Sequence, residues 1–189
     1  MEAASPQDDQ ERRWIRAIAA RDRDAFERLF RAYETRLLRY FLRLVRDRRN
    51  AEELTSDVLL EVWRRADGFR GDSRPSTWIF GIAHHKGVSA LRRRRPETAA
   101  VEAASEIEEP APSPEDRAAG AEGWRRLKEV MATLSPEHRE VLELFYAEGL
   151  SVREVAEVQG CPLSTAKTRL FYARKRLRPL FDDSGGAPA

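Results

Sequence analysis

Residues 151–178 read SVREVAEVQGCPLSTAKTRLFYARKRLR. Ser151 and Glu154, three positions apart, are the pair that closes a capping box, each side chain satisfying the other's backbone N–H. The helix they open is short, because Gly160 supplies a stop and Pro162 marks the start of another. That second helix carries Lys167, Arg169, Arg174, Lys175, Arg176 and Arg178, and no acid falls between Glu157 and Asp182. A short helix, a tight turn and a cationic second helix form the unit that lays a helix in the DNA major groove. Ser164, Thr165, Lys167, Thr168 and Arg169 place polar groups near the start of that helix, where base edges and phosphates are reached. Leu163, Leu170 and Leu177 recur at heptad spacing and are expected to face inward. Lys167, Thr168, Phe171, Tyr172 and Lys175 then lie on the outer faces, available to DNA. The plainer reading of the same residues is a solvated basic helix in a small bundle.

Upstream of this unit the pattern stays helical. Trp124, Leu127, Val130, Met131 and Leu134 form one stripe from about Glu115. Ser135-Pro136 reads as an N-cap followed by proline in the first turn, opening a helix with Val141, Leu142, Leu144 and Phe145 that Gly149 ends. Residues 96–114, PETAAVEAASEIEEPAPSP, hold four prolines and five glutamates, with no base. Such a segment cannot bury a core and reads as a flexible acidic linker. Before it, Phe26, Leu29, Phe30, Tyr33, Leu37, Leu38, Phe41 and Leu44 build one helical face, with Asp22 as cap. A further helix over about 50–66 has Asn50 as its expected cap and Leu54, Val58, Val62 and Trp63 on one side. DGFRGDSRPS (67–76) breaks the pattern with two glycines and a proline, and a helix from Ser76 or Thr77 ends in Arg92–Arg95 before Pro96. The expected fold class is therefore all-α, in two small helical domains. The predicted boundaries are a disordered 1–10, a domain at 11–95, the linker at 96–114, a second domain at 115–181 and a flexible tail at 182–189.

The 189 residues carry a formal net charge of only +2, so any cationic surface is local. A single cysteine, Cys161, excludes an internal disulfide. The polar start of the chain lacks a signal-peptide core, and no apolar run approaches the ~20 residues of a membrane helix. A cytoplasmic protein without membrane insertion is expected. His84 and His85 point about 100° apart on a helix, so one ion does not readily take both. No HxxxH pair, CxxC, phosphate loop or catalytic triad appears, so neither metal, cofactor nor enzyme activity is expected.

Four blocks, in order and at matched spacing, resemble bacterial RNA polymerase sigma factors of the extracytoplasmic-function (ECF) class, in the two-domain form of the sigma-70 family. They are AEELTSDVLLEVW (51–63), FRGDSRPSTWIFGIAHH (69–85), LRRRR (91–95) and SPEHREVLELFYAEGLSVREVAEVQGCPLSTAKTRLFYARKRL (135–177). The resemblance implies a sigma-2-like domain at 11–95 and a sigma-4-like helix-turn-helix domain at 115–181. It implies that Glu53, Asp57, Glu61 and Arg64 face core RNA polymerase at the beta-prime coiled coil, with the beta flap a second docking point. Phe69, Arg70, Gly71, Asp72 and Ser73 match the family's loop for a base extruded from the −10 element. Arg74, Lys86, Arg92 and Arg93 are candidates for backbone contacts, and His85 stands where the family often has an asparagine that helps hold the base. Thr77, Trp78 and Phe80 are expected to pack the domain. The −35 element falls to Ser164, Thr165, Lys167, Thr168, Arg169, Phe171, Tyr172 and Lys175. Ser164 and Ala166 replace the family's usual glycine and valine, and mark points where promoter preference is expected to depart from the family.

In this class an anti-sigma factor commonly supplies inhibition, and such a partner is expected, the free protein being a monomer. The acidic linker would thread toward the polymerase active centre, or serve as a soluble spacer. Two other readings stand beside this one. A stand-alone helix-turn-helix regulator would footprint a palindrome as a dimer, and an interaction protein would not use its basic helix on DNA.

Overall fold

A computed structural model describes residues 5–94 and 125–182, residue 128 excepted. The acidic 96–114 stretch, Trp124 and the tail beyond Asp182 lie outside the described residues. Every regular element among the described residues is helical, and the chain divides into two compact units.

In the N-terminal unit α1 spans Pro6–Ala19, α2 Arg23–Val45, α3 Arg48–Arg65 and α4 Pro75–Arg94, with one 3-10 turn at Ala66–Gly68. Helix α1 corrects the expectation of disorder through residue 10. Ser5 Oγ accepts the Asp8 N–H at 3.1 Å and the Asp8 carboxylate accepts the Ser5 N–H at 3.3 Å, a capping box with Pro6 in the first turn. Polar composition hid this because the acids here are partnered: Asp8 and Glu11 are only 5% and 2% exposed. Asp22 caps α2 as expected, accepting the Ala25 N–H at 3.0 Å. Helix α3 is capped by Asp47 rather than Asn50. Arg46 turns the chain with φ +53°, Asp47 is extended, and its carboxylate accepts the Asn50 N–H at 2.8 Å. Both residue types cap well, and the one that follows the left-handed turn takes the role.

Helix α2 is the spine of this unit and packs against α1, α3 and α4. Its buried face is Leu29, Tyr33, Leu37, Tyr40, Phe41 and Leu44. Phe80 of α4 lies fully buried between Tyr33 and Tyr40, with ring centroids 6.4 and 5.4 Å away, and Phe26 meets Trp63 of α3 edge-on at 5.1 Å. Such aromatic pairs each add about 0.5–1.5 kcal/mol beyond their area burial. Gly87 lets α4 approach α2 closely: a Cβ there would lie 2.5 Å from Leu44 Cδ2.

In the C-terminal unit residues 125–127 and 129–133 are helical. Helix α5 spans Pro136–Leu142 and runs into a π-helical stretch at Glu143–Ala147. Helix α6 spans Val152–Val158 and α7 Leu163–Asp182. Ser135 caps α5, and the Ser151–Glu154 box caps α6, with Ser151 N–H donating to Glu154 Oε2 at 2.8 Å and Glu154 N–H to Ser151 Oγ at 3.3 Å. Gly149 and Gly160 both sit at positive φ, +65° and +57°, where the chain must turn between helices. Helix α5 packs along α7. The buried seam of α7 is Ala166, Leu170 and Ala173, at 0%, 5% and 0% exposure, with Leu177 half-buried. Leu163 does not face inward as expected but is 37% exposed. It is the first residue of the helix, and helical side chains lean toward the N-terminus, so its own points off the end.

Candidate nucleic-acid interface

The break at 69–74 forms a loop held from two sides. Gly71 adopts φ +81°, a backbone that favours glycine. The Arg12 guanidinium of α1 donates from Nη1 to the Gly71 carbonyl at 2.8 Å and from Nη2 to the Ser73 carbonyl at 3.0 Å. Its carbon also lies 5.8 Å from the centroid of the Phe69 ring. Arg74 Nε donates to the buried Asp8 carboxylate at 3.2 Å. Phe69 is half-buried and packs on Trp78 at 5.2 Å between centroids, so Trp78 supports the loop. Thr77 and Phe80 are buried, in keeping with a packing role. Arg70 and Asp72 pair with each other at 3.0 Å and both are largely exposed. The loop thus presents Phe69, Arg70 and Asp72 from a fixed backbone. Asp8 and Arg12 were missed from the sequence, because nothing in QDDQERRW links them to a loop some sixty residues away.

Helix α4 continues the surface. His85, Arg92 and Arg93 are exposed and Lys86 is half-buried. His84 and His85 have ring centroids 5.7 Å apart at 64°, and among the described residues no group of three or more His, Cys, Asp or Glu is placed to hold a metal ion. Glu53, Asp57 and Arg64 are exposed on α3 and Glu61 is half-buried. The residues expected to face polymerase and those expected to face the −10 strand share an open groove between α3 and α4, where Asp57, Glu61, His85, Lys86 and Arg93 meet. Lys86 Nζ lies 3.8 Å from Asp57, whose side chain is 53% exposed. A pair this open is worth about 0–1 kcal/mol, so it yields readily to a phosphate or a protein partner.

On α7, Ser164, Lys167, Thr168, Phe171, Tyr172 and Lys175 are exposed, and Thr165 and Arg169 half-buried. Thr168 Oγ1 donates back to the Ser164 carbonyl at 2.9 Å. Phe171 and Tyr172, at 62% and 53% exposure, are large apolar groups held in water. Ala166 is fully buried, so of the two departures noted in this helix only Ser164 faces outward. Arg174 is directed elsewhere: its guanidinium stands 5.0 and 5.3 Å from the ring centroids of Phe145 and Tyr146 in the π-helical stretch. Glu137, near the start of α5, is pushed up by burial, but its hydrogen bonds to Ser135 and its own backbone, with Arg169 and His138 nearby, hold its carboxyl below the ordinary value. Arg169 is thereby tied electrostatically to the capped start of α5.

A helical unit with a clamped loop beside a groove of mixed charge, and a second unit with a capped helix-turn-helix, fit the class of two-domain DNA-binding initiation factors. Residues 29–97 match the model of Sigma-70 region 2, and residues 124–177 that of Sigma-70, region 4. The chain belongs to the ECF sigma factors of the sigma-70 family. It is 32% identical over 162 residues to the ECF RNA polymerase sigma factor SigK of Mycobacterium sp. (strain KMS), covering 82% of each chain. To the RNA polymerase sigma-H factor of Pseudomonas aeruginosa it is 28% identical over 193 residues, covering 93% of this chain and 98% of the other. Among solved structures it resembles the sigma factor RpoE of Bartonella quintana, determined with the anti-sigma factor NepR, at TM-score 0.69 and 28% identity over 83% of this chain and 96% of that one. CnrH, determined with the cytosolic domain of CnrY, shares the fold at TM-score 0.63 and 20% identity, over 92% and 98%. The chain is a sigma factor that serves RNA polymerase in transcription initiation, and not a stand-alone regulator.

Proposed function

We propose that the N-terminal unit opens the −10 element and holds one extruded base at the 69–74 loop, while α7 reads the −35 duplex. The clamped loop carries this reading. Extruding a base costs a few kcal/mol, and a pre-set backbone spends none of the binding energy on ordering itself. Arg70, Arg92, Arg93, Lys86 and Arg74 supply charge for the strand backbone, and His85 stands beside them for the base. Phe69 offers a ring for stacking, worth about 1–3 kcal/mol per base. Ser164, Thr165, Lys167, Thr168, Arg169, Phe171, Tyr172 and Lys175 form the −35 face, with Lys167 and Arg169 suited to phosphates or guanine edges. Glu53, Asp57, Glu61 and Arg64 on α3 dock the beta-prime coiled coil of core polymerase, and the C-terminal unit meets the beta flap. The protein works in the cytoplasm, has no catalytic activity of its own, and is restrained by an anti-sigma factor. The relatives solved with NepR and CnrY support that last point.

The test reconstitutes holoenzyme with core polymerase and maps transcript starts on genomic DNA. Phe69→Ala should then impair strand opening on the mapped promoter while leaving −35 duplex contacts intact. Wild-type permanganate reactivity at the unpaired thymines of that variant would remove Phe69 from the opening step.

A further inference from the structure

Resting on the reading of residues 69–74 as the loop that receives the extruded base, we propose that Arg12 is the positioning residue for that loop and so sets base discrimination at the −10 element. Helix α1 touches no DNA in this scheme. Its guanidinium bridges two carbonyls, Gly71 at 2.8 Å and Ser73 at 3.0 Å, and so straddles Asp72. A planar fork of fixed geometry does this, whereas an ammonium group provides one point of charge.

Three further observations converge on the same loop. Gly71 is at φ +81°, and a Cβ there would lie 3.1 Å from Arg12 Nη1, so the backbone and the guanidinium fit each other closely. The Arg12 guanidinium also stands over the Phe69 ring at 5.8 Å, with Trp78 packed against that ring from α4. One helical turn before Arg12, Asp8 holds Arg74 at the far end of the loop and, through the Ser5 box, also fixes the start of α1. The loop is therefore tied to one helix at Gly71, Ser73 and Arg74. Exposed Arg70 and Asp72 project from a backbone that cannot shift without breaking those bonds. Discrimination between bases depends on such placement, and a wrong base in a specific site costs roughly five- to a hundredfold in affinity.

The experiment uses holoenzyme made from core polymerase and the full chain on its mapped promoter. Templates carry the cognate base or each alternative at the extruded position, and each is prepared both as full duplex and with the −10 region pre-opened by mismatches. Wild type, Arg12→Gln, Arg12→Lys and Phe69→Ala are compared for opening rate and base preference, with thermal unfolding of each free variant alongside. Arg12→Gln should lower the preference for the cognate base about five- to a hundredfold on both templates. Its affinity for −35 duplex should stay at the wild-type level. Arg12→Lys keeps the charge and the helix, and should fail to restore preference even where its unfolding midpoint matches wild type. Restoration by lysine would overturn the bidentate argument. Wild-type preference in Arg12→Gln, with preference lost in Phe69→Ala, would overturn the role of Arg12 and leave the loop reading standing. Wild-type preference in both would remove the loop reading and this inference with it. If Arg12→Gln fails to fold, the lysine variant decides between these outcomes.

Discussion

Replacing Tyr33 with phenylalanine removes one hydroxyl from the interior of the N-terminal unit and leaves the ring in place. Tyr33 is fully buried, and its hydroxyl donates to Glu11 Oε2 at 2.5 Å. Glu11 is itself 2% exposed. Its other oxygen accepts from Gln7 Nε2 at 3.0 Å and lies 3.9 Å from Arg36. Without the hydroxyl, Oε2 of a buried carboxylate loses that donor. A hydrogen bond to a charged group is worth about 1.5–3 kcal/mol, and the remaining Gln7 and Arg36 partners place the expected loss near 2 kcal/mol. For a domain of under about 100 residues that shifts the unfolding midpoint by roughly 8–16 °C. The assay is thermal and urea unfolding of the full chain, followed by tryptophan fluorescence, to which Trp14, Trp63 and Trp78 of this unit contribute alongside Trp124. Glu11→Gln and the double variant complete a cycle, and the double variant should lose less than the sum of the singles. A loss below about 0.5 kcal/mol, or strict additivity, would refute the coupling. Alkali gives a second signature. Burial, then the Glu11 charge, raise the Tyr33 phenol well above its ordinary value of 10.0, against the pull of Arg36. A raised folded-state value contributes stability that is complete below the unfolded value and is lost as pH climbs through the folded one. The advantage of wild type over Tyr33→Phe should therefore hold up to about pH 10 and shrink above it.

Three further expectations come from the backbone and from α7. Gly71→Ala places a side chain at φ +81° and 3.1 Å from Arg12 Nη1, and should cost about 1–2 kcal/mol in unfolding experiments while slowing promoter opening. Gly87→Ala gains up to about 1 kcal/mol in helix propensity but overpacks Leu44 and Phe41 at a cost of about 1–3 kcal/mol, so a net loss near 1 kcal/mol is expected by urea titration. A more stable variant would show that Leu44 swings aside freely. Lys167→Ala and Arg169→Ala should each weaken holoenzyme binding to −35 duplex and reduce the log–log salt slope by about 0.9 per lost phosphate contact. An unchanged slope in both would place α7 elsewhere than on the phosphates.

Features set within a few residues were legible in the sequence. The caps Asp22, Ser135 and Ser151 were readable because a cap and its target N–H lie three positions apart. The break at 67–76 was readable from its glycines and proline, and the inner faces of α2 and α3 from apolar spacing. What was hidden depends on distant chain or on side chains without hydropathy contrast. Arg12 looks like any other arginine until the fold brings Gly71 and Ser73 to it. Nothing near them in the sequence singles out Asp8 and Glu11, because their partners, Arg74 in the 69–74 loop and Tyr33 on α2, lie far along the chain. The leucine heptad of α7 suggested an inward Leu163, whereas the seam runs through Ala166 and Ala173, which no hydrophobic count singles out. Arg174 counts toward the cation run of this helix in the sequence, and only the fold shows that the π-helical stretch presents Phe145 and Tyr146 to it.

The alanine seam of α7 has a consequence for how such a factor diverges. Ala166 and Ala173 carry the close contact with one methyl group each, while Ser164, Lys167, Thr168, Phe171 and Lys175 lie on exposed faces. Packing of the unit and the proposed reading of the −35 element thus fall to separate residues of one helix. Exposed positions away from structural partners usually change stability by under about 0.5 kcal/mol when substituted. A duplicated gene can therefore drift in promoter choice without crossing the threshold for unfolding. A library randomised at those outward positions, with the two alanines held, is the economical route to orthogonal versions of this factor.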